Sequence, residues 1–155
     1  MPSWRKLAAS GASGLLIAGA LAAHFEGQRL NAYRDAGGVW TVCQGHTAGV
    51  KPGDVATPEI CARLKAEDTR AADQGVSRCI HRPMTKDQRG VFIDFVFNEG
   101  EGRFCRSTIV RRFNAGDTKG ACAALLWYTK ADRKTLPGLV KRRREEYWLC
   151  MMGET

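Results

Sequence analysis

The feature that most constrains this chain is an uncharged stretch of 17 residues, from Leu7 to Ala23, which follows directly after Arg5 and Lys6. As one helix it would be roughly 25 Å long, which is short of the roughly 30 Å hydrocarbon core of a membrane. Seven alanines, three glycines and two serines also make the stretch only weakly apolar. If it enters a membrane, the preceding basic residues keep the N-terminus in the cytoplasm and the rest is exported.

Four structures are compatible with this stretch. It could be a signal peptide cleaved at Ala20-Leu21-Ala22, a permanent anchor, an uncleaved segment that enters the bilayer and later leaves it, or a buried alanine-rich core helix. Small residues at four-residue spacing would let another helix approach closely. These residues are Ser10, Gly14, Ala18 and Ala22.

Length and charge limit the classes of protein to consider. A chain of 155 residues fits one compact domain, and 44% hydrophobic residues exclude a disordered or collagen-like chain. The net charge is +8, with the cations concentrated towards the end of the sequence and the carboxylates in its middle. Such a surface attracts a polyanion, which could be nucleic acid, anionic lipid or an acidic cell wall.

Six cysteines indicate the compartment. They lie at least 17 residues apart along the chain, whereas metal sites use close pairs such as C-x-x-C. We therefore expect an oxidising compartment and up to three disulfides, although the spacing does not decide the pairing. The cysteines are Cys43, Cys61, Cys79, Cys105, Cys122 and Cys150.

Three polar residues follow the uncharged stretch in a pattern that suits glycosidic cleavage. Glu26 lies at a mostly apolar helix end, Asp35 precedes a glycine-rich turn, and Thr41 lies in a short alternating strand. Acid–base cleavage needs one protonated and one ionised carboxyl group, which these two environments would provide. Thr41 could hold a water molecule by its hydroxyl. Taken alone, the three residues could equally be a solvated charge, a turn former and an ordinary strand residue.

The amino-acid sequence of this region resembles that of the phage-type lysozymes of glycoside hydrolase family 24. Their motif is Glu, eight residues, Asp, five residues, Thr, and both gaps match at Glu26, Asp35 and Thr41. The resemblance covers about residues 18–150. Further matching segments are Phe25-Glu26-Gly27, Tyr33, Gly38, Trp40-Thr41, Gly45-His46-Thr47, Phe95-Val96-Phe97-Asn98, Ser107-Thr108, Asn114-Ala115-Gly116-Asp117, Pro137-Gly138-Leu139, Arg142-Arg143 and Glu146.

The resemblance implies a fold and an activity. The fold is α+β and mostly helical, a two-lobed lysozyme-like architecture with a small β-element and a long inter-lobe helix. The reaction is hydrolysis of the β-1,4 bond between N-acetylmuramic acid and N-acetylglucosamine in peptidoglycan, with no cofactor or metal. Glu26 would protonate the leaving oxygen, while Asp35 and Thr41 position and activate the water, with inversion at the anomeric carbon.

Other conspicuous residues have structural or binding interpretations. His46 is expected to pair with a carboxylate, and Asn98 to hydrogen-bond a sugar, steady the site or cap its helix. Many relatives have glycine at Cys43, where we expect one half of a structural disulfide. The run from Lys141 to Arg144 could bind nucleic acid or lipid, but we favour ion pairs from its arginines to acids such as Glu146.

Helix signals place these residues along the chain. Thr57-Pro58 predicts a helix over 58–75 that joins the two lobes, with the cleft between them. Thr85-Lys86-Asp87-Gln88 is a capping box before a second helix. Shorter helices are predicted over 107–113, 118–128 and 137–149, and a β-element around 33–46.

The resemblance also bears on the N-terminus, because in such lysozymes a short helix immediately precedes the catalytic glutamate. We therefore expect residues 1–25 to be a signal-anchor-release segment whose end becomes the first helix of a catalytic domain over 26–155. The expected protein is a monomeric endolysin exported by the host Sec machinery. Residues 7–23 would hold it inactive as a single-pass protein of the inner membrane, with the N-terminus in the cytoplasm, until release into the periplasm permits lysis.

Two other classes remain open: a cationic membrane-permeabilising module and a basic nucleic-acid-binding protein. We expect no nucleic-acid partner. Both alternatives predict that function survives loss of Glu26, Asp35 and Thr41.

Overall fold

A computed structural model describes residues 3–152 and is mostly helical. Within this range, eight helices and two antiparallel strand pairs confirm the α+β class expected from the sequence. The helices are α1 (Ser3–Ala9), α2 (Gly14–Glu26), α3 (Pro58–Cys79), α4 (Lys86–Glu99), α5 (Glu101–Cys105), α6 (Thr108–Asn114), α7 (Thr118–Leu125) and α8 (Pro137–Met152). The strands are β1 (Arg29–Arg34), β2 (Trp40–Cys43), β3 (Lys130–Ala131) and β4 (Lys134–Thr135).

Two hydrophobic clusters divide the molecule into a small and a large lobe. In the small lobe β1 pairs with β2, and Cys43 packs with Ala56 and Cys61. In the large lobe α2, α3, α5 and α8 pack against α4, whose Phe92 and Phe95 are fully buried. Because α3 contacts both β2 and α4, it joins the lobes as predicted.

Threonine caps begin α3 and α4 at the predicted residues. The Thr57 hydroxyl accepts a hydrogen bond from a backbone N–H of the first turn of α3, and Pro58 occupies the first helical position. Thr85 and Gln88 form both hydrogen bonds of the capping box. These local bonds satisfy N–H groups that the helix itself leaves unpaired, so both helix starts are confirmed.

Three helix ends differ from the prediction by three residues or more, and one is that of α8, which continues past residue 149 to Met152. α3 continues past Gly75 to Cys79, because this glycine provides room for α5: a Cβ at Gly75 would lie 3.2 Å from the Glu101 side chain. α7 ends at Leu125 rather than at residue 128. At this end the Tyr128 N–H donates to the Leu125 carbonyl, a tighter bond than that of an α-helix.

The uncharged stretch folds as two helices with a break at residues 10–13. Gly11 has a φ of +72° there, and Ser13 caps α2 by accepting a hydrogen bond from the Leu16 N–H. Among the described helices, none combines the length and the apolar character needed to span a membrane.

The small-residue stripe of α2 packs closely against α4. A Cβ on Gly14 would lie 3.0 Å from the Arg89 Cβ, and one on Gly90 would lie 2.7 Å from Cγ2 of Ile17. Neither glycine position has room for a larger side chain, which confirms the close helix approach that the stripe predicts. Ile17 and Leu21 are fully buried as a result.

α1 packs against α8 through aromatic and charged contacts. Trp4 is fully buried and meets the Trp148 ring edge-on, with 6.3 Å between the ring centroids. The Arg5 guanidinium lies 4.4 Å from the Trp148 ring centroid, and its Nη2 donates to the Glu145 carboxylate at 3.0 Å. The start of the described chain is therefore attached to the last helix.

All six cysteines are paired, each with its neighbour in sequence order. Cys43–Cys61 ties β2 to α3, and the other two bonds, Cys79–Cys105 and Cys122–Cys150, tie α3 to α5 and α7 to α8. Cys43 has a φ of +60°, a left-handed conformation that glycine adopts without cost. This explains physically why glycine also suits the position, and it confirms the disulfide expected there.

The docking of α1 predicts that Trp4→Ala destabilises the folded protein. Truncating a fully buried tryptophan typically costs about 3–5 kcal/mol in the free energy of unfolding, which urea denaturation measures. Trp127→Ala is the matched control, because that ring is 58% exposed and contacts Arg112 from the surface. Equal, small effects of the two substitutions would show that α1 is not docked in solution.

Candidate active site

A cleft of about 600 Å³ lies between the two lobes. The turn after β1 forms the small-lobe side, and the end of α2, α4, α8 and the β3–β4 hairpin form the other side. Its lining residues are Phe25, Glu26, Asp35, Ala36, Gly37, Asn98, Glu99, Arg103, Lys130, Ala131, Leu136, Pro137, Gly138, Leu139 and Arg142.

Glu26 is the last residue of α2, and its side chain is 23% exposed. Its Oε1 accepts a hydrogen bond from Nη1 of Arg142 at 2.5 Å. On the other side the backbone of Gly45 approaches closely: a Cβ there would lie 3.3 Å from the Glu26 carboxyl carbon. Gly45 also has a φ of +82°, so both its conformation and the proximity of Glu26 favour glycine.

Arg142 is a buried residue of α8 that links Glu26 to α4. Its Nε and Nη2 donate to the two carboxylate oxygens of Asp94, at 3.0 and 2.8 Å. Burial alone would lower the pKa of Arg142, but the charges of Asp94 and Glu26 outweigh it and raise the pKa. Burial alone would raise the pKa of Asp94, whereas Arg142 holds it below its ordinary value. The pair therefore stays charged inside the protein.

Glu146 completes this buried cluster one helical turn after Arg142. Nη1 of Arg143 donates to both of its carboxyl oxygens, at 2.6 and 2.5 Å. Burial raises the pKa of Glu146 to about 8 despite the opposing charge of Arg143. The neighbouring charge of Asp94 raises the pKa of Glu146 further. The expected pairing of the 142–143 arginines with acids such as Glu146 is confirmed.

Asn98 lies on α4 at the cleft wall. Its amide oxygen accepts a hydrogen bond from Arg143, which also approaches Glu99 at 3.4 Å. Asn98 thus lies at the site, and it is held in place by the same cluster that holds Glu26.

Asp35 faces Glu26 from the small lobe, at the exposed start of the turn between β1 and β2. Its Oδ1 accepts hydrogen bonds from the backbone N–H groups of Gly37 and Val39, at 2.9 and 2.8 Å. The turn thereby fixes the carboxylate at the edge of the cleft. As the sequence predicts, Asp35 is a turn residue, and the fold also places it in the same cleft as Glu26.

Thr41 lies behind that turn. It is only 2% exposed, and its hydroxyl donates to the Val39 carbonyl at 2.9 Å. Among the described residues, Thr41 is not one of those that line the cleft. Its partner across the strand pair is Tyr33. Burial raises the pKa of Tyr33, and the negative charges of Glu26 and Asp35 raise it further against the opposing charge of Arg29.

His46 is held by two structural contacts. Its Nδ1 lies 2.7 Å from Oδ2 of Asp68, and its Nε2 lies 3.0 Å from the Ala48 carbonyl oxygen. The expected pairing of His46 with a carboxylate is confirmed. Within residues 3–152, no group of three or more His, Cys, Asp or Glu side chains is arranged to hold a metal ion.

Sequence reasoning missed Asp94 and the close approach of Gly45 to Glu26. A signal for Asp94 was present, since it lies between Ile93 and Phe95 in an apolar helix, where an ionised side chain requires a buried partner. No comparable signal exists for Gly45, because the glycine and Glu26 meet only when the small lobe packs against α2.

The chain is similar to phage lysozymes and endolysins. The family model for Phage lysozyme matches residues 23–146. A SAR-endolysin of Enterobacteria phage PA-2 is 36% identical over 162 residues, which cover 99% of this chain and 98% of the relative.

Solved structures give the same result for the fold. The muramidase domain of SpmX from Asticaccaulis excentricus is 29% identical with a TM-score of 0.77, covering 86% of this chain and 94% of that one. The active form of P1 phage endolysin Lyz is 24% identical with a TM-score of 0.78, and the match covers 89% of this chain and 85% of that one. The secreted inactive form of the same endolysin is 20% identical with a TM-score of 0.56, and the match covers 70% of this chain and 77% of that one.

The family match covers most of the chain and includes Glu26, Asp35 and Thr41. The family membership inferred from the motif is thus confirmed. The chain belongs to the phage lysozyme family, and it is a glycosidase of the endolysin type that hydrolyses peptidoglycan in host cell lysis.

Proposed function

We propose that the cleft hydrolyses the β-1,4 bond between N-acetylmuramic acid and N-acetylglucosamine, with Glu26 as the general acid. Asp35 and Thr41 position and activate the attacking water. The observation that carries this proposal is that Glu26 and Asp35, from different lobes, line one cleft. Glycosidic cleavage by an acid and a base requires two carboxyl groups flanking the scissile bond.

The hydrogen bonds support a different role for each carboxyl oxygen. Arg142 occupies Oε1 of Glu26, while Oε2 accepts no hydrogen bond from the described residues, so Oε2 carries the proton to the leaving oxygen. Backbone N–H groups occupy Oδ1 of Asp35, so Oδ2 accepts a hydrogen bond from the water. Fixed orientation of both groups is what a positioned acid–base pair requires.

Thr41 supports the water site through Val39. The Val39 carbonyl accepts hydrogen bonds from the Thr41 hydroxyl and the Asp35 N–H, and the Val39 N–H donates to Asp35. Thr41 therefore stabilises the turn that holds Asp35.

We further propose that residues 1–25 control activity as a signal-anchor-release segment. After Sec export of the following domain (26–155), residues 7–23 would lie in the inner membrane with the N-terminus in the cytoplasm. Glu26 would then lie at the lipid surface, away from the Arg142 guanidinium. Release into the periplasm lets α2 dock on α4 and returns Glu26 to Arg142, in a monomer competent to degrade peptidoglycan.

Two observations support this control mechanism. In the folded form α2 supplies both buried core residues, such as Ile17 and Leu21, and the glutamate itself. The fold of this chain is also more similar to the active form of the P1 endolysin than to its secreted inactive form. Under this proposal, the docked conformation of α2 is the one that the enzyme adopts after release.

Glu26→Gln should abolish most of the lytic activity while keeping the fold. Positioned general acids contribute about 10²–10⁴-fold to rate, so digestion of purified sacculi, followed by turbidity and released reducing ends, should fall by that factor. Glu59→Gln is the control, since Glu59 is an exposed residue of the first turn of α3. A Glu26→Gln protein as active as the control would exclude Glu26 as the acid.

The proposed roles also predict the stereochemistry of the product. Because Asp35 activates water rather than attacking the sugar, the first product should have the inverted anomeric configuration. Proton NMR of a glycan digest within the first minutes distinguishes the two anomers before mutarotation. A retained configuration would assign Asp35 as a nucleophile and contradict its proposed role as the base that activates water.

Ser10→Leu should favour the membrane-held form without damaging the released one. Ser10 is exposed between α1 and α2, so leucine there makes the 7–23 stretch more apolar and leaves the packed faces intact. We expect more carbonate-resistant protein in the inner membrane and later lysis than for Ser10→Ala. Soluble Ser10→Leu protein should still digest sacculi at the wild-type rate.

Two results would refute the release mechanism. One is an unchanged membrane fraction for Ser10→Leu. The other is a mature protein that begins near Ala23 by mass spectrometry, because cleavage there removes Ile17 and Leu21 from the core.

A further inference from the structure

A second groove lies away from the cleft, between α2 and α3, and encloses about 480 Å³. Its apolar wall includes Leu15 and Leu16 of α2, which are 41% and 58% exposed, and Ala62 and Ala66 of α3. The two adjacent leucines and the alanines form one contiguous apolar patch, the kind of surface that a ligand or another surface covers. The volume lies in the range of small-molecule sites.

Two cations, Lys65 and Arg70, lie in the wall of this groove. Within residues 3–152 neither pairs with a carboxylate, because the nearby acids of α3 are engaged elsewhere. Glu67 lies 3.9 Å from Arg63, while Asp68 and Asp73 lie 2.7 and 2.5 Å from His46 and Arg89.

Lys65 is half-buried, and its stem passes over Gly19, where a Cβ would lie 3.4 Å from the lysine Cε. Burial lowers the pKa of Lys65. Its ammonium group is therefore partly removed from water without a protein anion to compensate. An anionic ligand in the groove would supply that compensation.

The apolar and cationic residues of the groove favour one class of ligand. A glycan would require hydrogen-bonding groups along the wall, and a nucleic acid would leave the leucines exposed. An anionic phospholipid fits both features, with acyl carbons against Leu15 and Leu16 and its phosphate between Lys65 and Arg70. We propose that the folded enzyme docks through this groove on anionic phospholipid at a bilayer surface.

Docking in this way does not require the N-terminal segment to enter the bilayer, so the inference goes beyond the proposed function. Leu16 and Glu26 lie ten residues apart on one helix, about 15 Å along its axis. The groove and the active cleft therefore lie towards opposite ends of α2.

The test uses soluble full-length protein and two kinds of vesicle, phosphatidylcholine alone and phosphatidylcholine mixed with phosphatidylglycerol. Flotation should show binding to the mixed vesicles only. Lys65→Gln should weaken the partition coefficient about fivefold, as expected for one cation near an anionic surface. Leu16→Ser should weaken it about tenfold through lost apolar contact.

Matched variants separate groove docking from general attraction. Lys119→Gln removes the same charge elsewhere, and Leu126→Ser removes a leucine that is 38% exposed on another face. Both should bind mixed vesicles within twofold of wild type. Equal losses in groove and control variants, equal binding to both kinds of vesicle, or no binding would overturn the proposal.

Two further measurements identify other outcomes. High salt should release the docked enzyme from the vesicles. Protein that resists a wash with salt and carbonate has instead inserted through residues 7–23, and this result would also overturn groove docking. Parallel digestion of sacculi tests the proposed function separately: failure to digest sacculi with vesicle binding intact would refute that function alone. Thermal melting of each variant establishes that it is folded.

Discussion

The buried guanidinium of Arg142 is the interaction on which the site depends. It belongs to α8 and holds Asp94 of α4 with two hydrogen bonds and Glu26 of α2 with a third. A buried charge without its partner typically costs about 3–5 kcal/mol, so these three helices must meet in one arrangement. The group that orients the proposed acid is therefore part of the core of the large lobe, and a folded large lobe has a correctly placed Glu26.

The small residues of α2 explain how this helix can serve two purposes in the proposed release mechanism. α2 is rich in alanine and glycine, which makes its insertion in lipid weak. Those small residues also allow the close contact of Gly14 with α4, where leucines would not fit. A more apolar segment would remain in the bilayer, and a more polar one would not enter it. The exposed Leu15 and Leu16 then keep the folded enzyme suited to a lipid surface.

The small lobe depends on local geometry instead. Asp35 is fixed by backbone N–H groups two and four residues away, and Thr41 holds the same turn through Val39. Cys43 is kept in a left-handed conformation beside this turn and is linked to Cys61 at the start of α3. Asp35 is thus fixed by local hydrogen bonds and a nearby disulfide, whereas Glu26 is fixed by the buried ionic cluster of the large lobe.

The sequence by itself determined the features that depend on neighbours a few residues away. These include the threonine caps of α3 and α4, the Asp35 turn, the helical class and the spacing of the family motif. Only the tertiary structure decided the cysteine pairing, the burial of Trp4, and the choice of Asp94 and Glu26 as partners of Arg142. Caps and turns are satisfied by local hydrogen bonds, whereas these other contacts join residues far apart in sequence and form only when the helices pack.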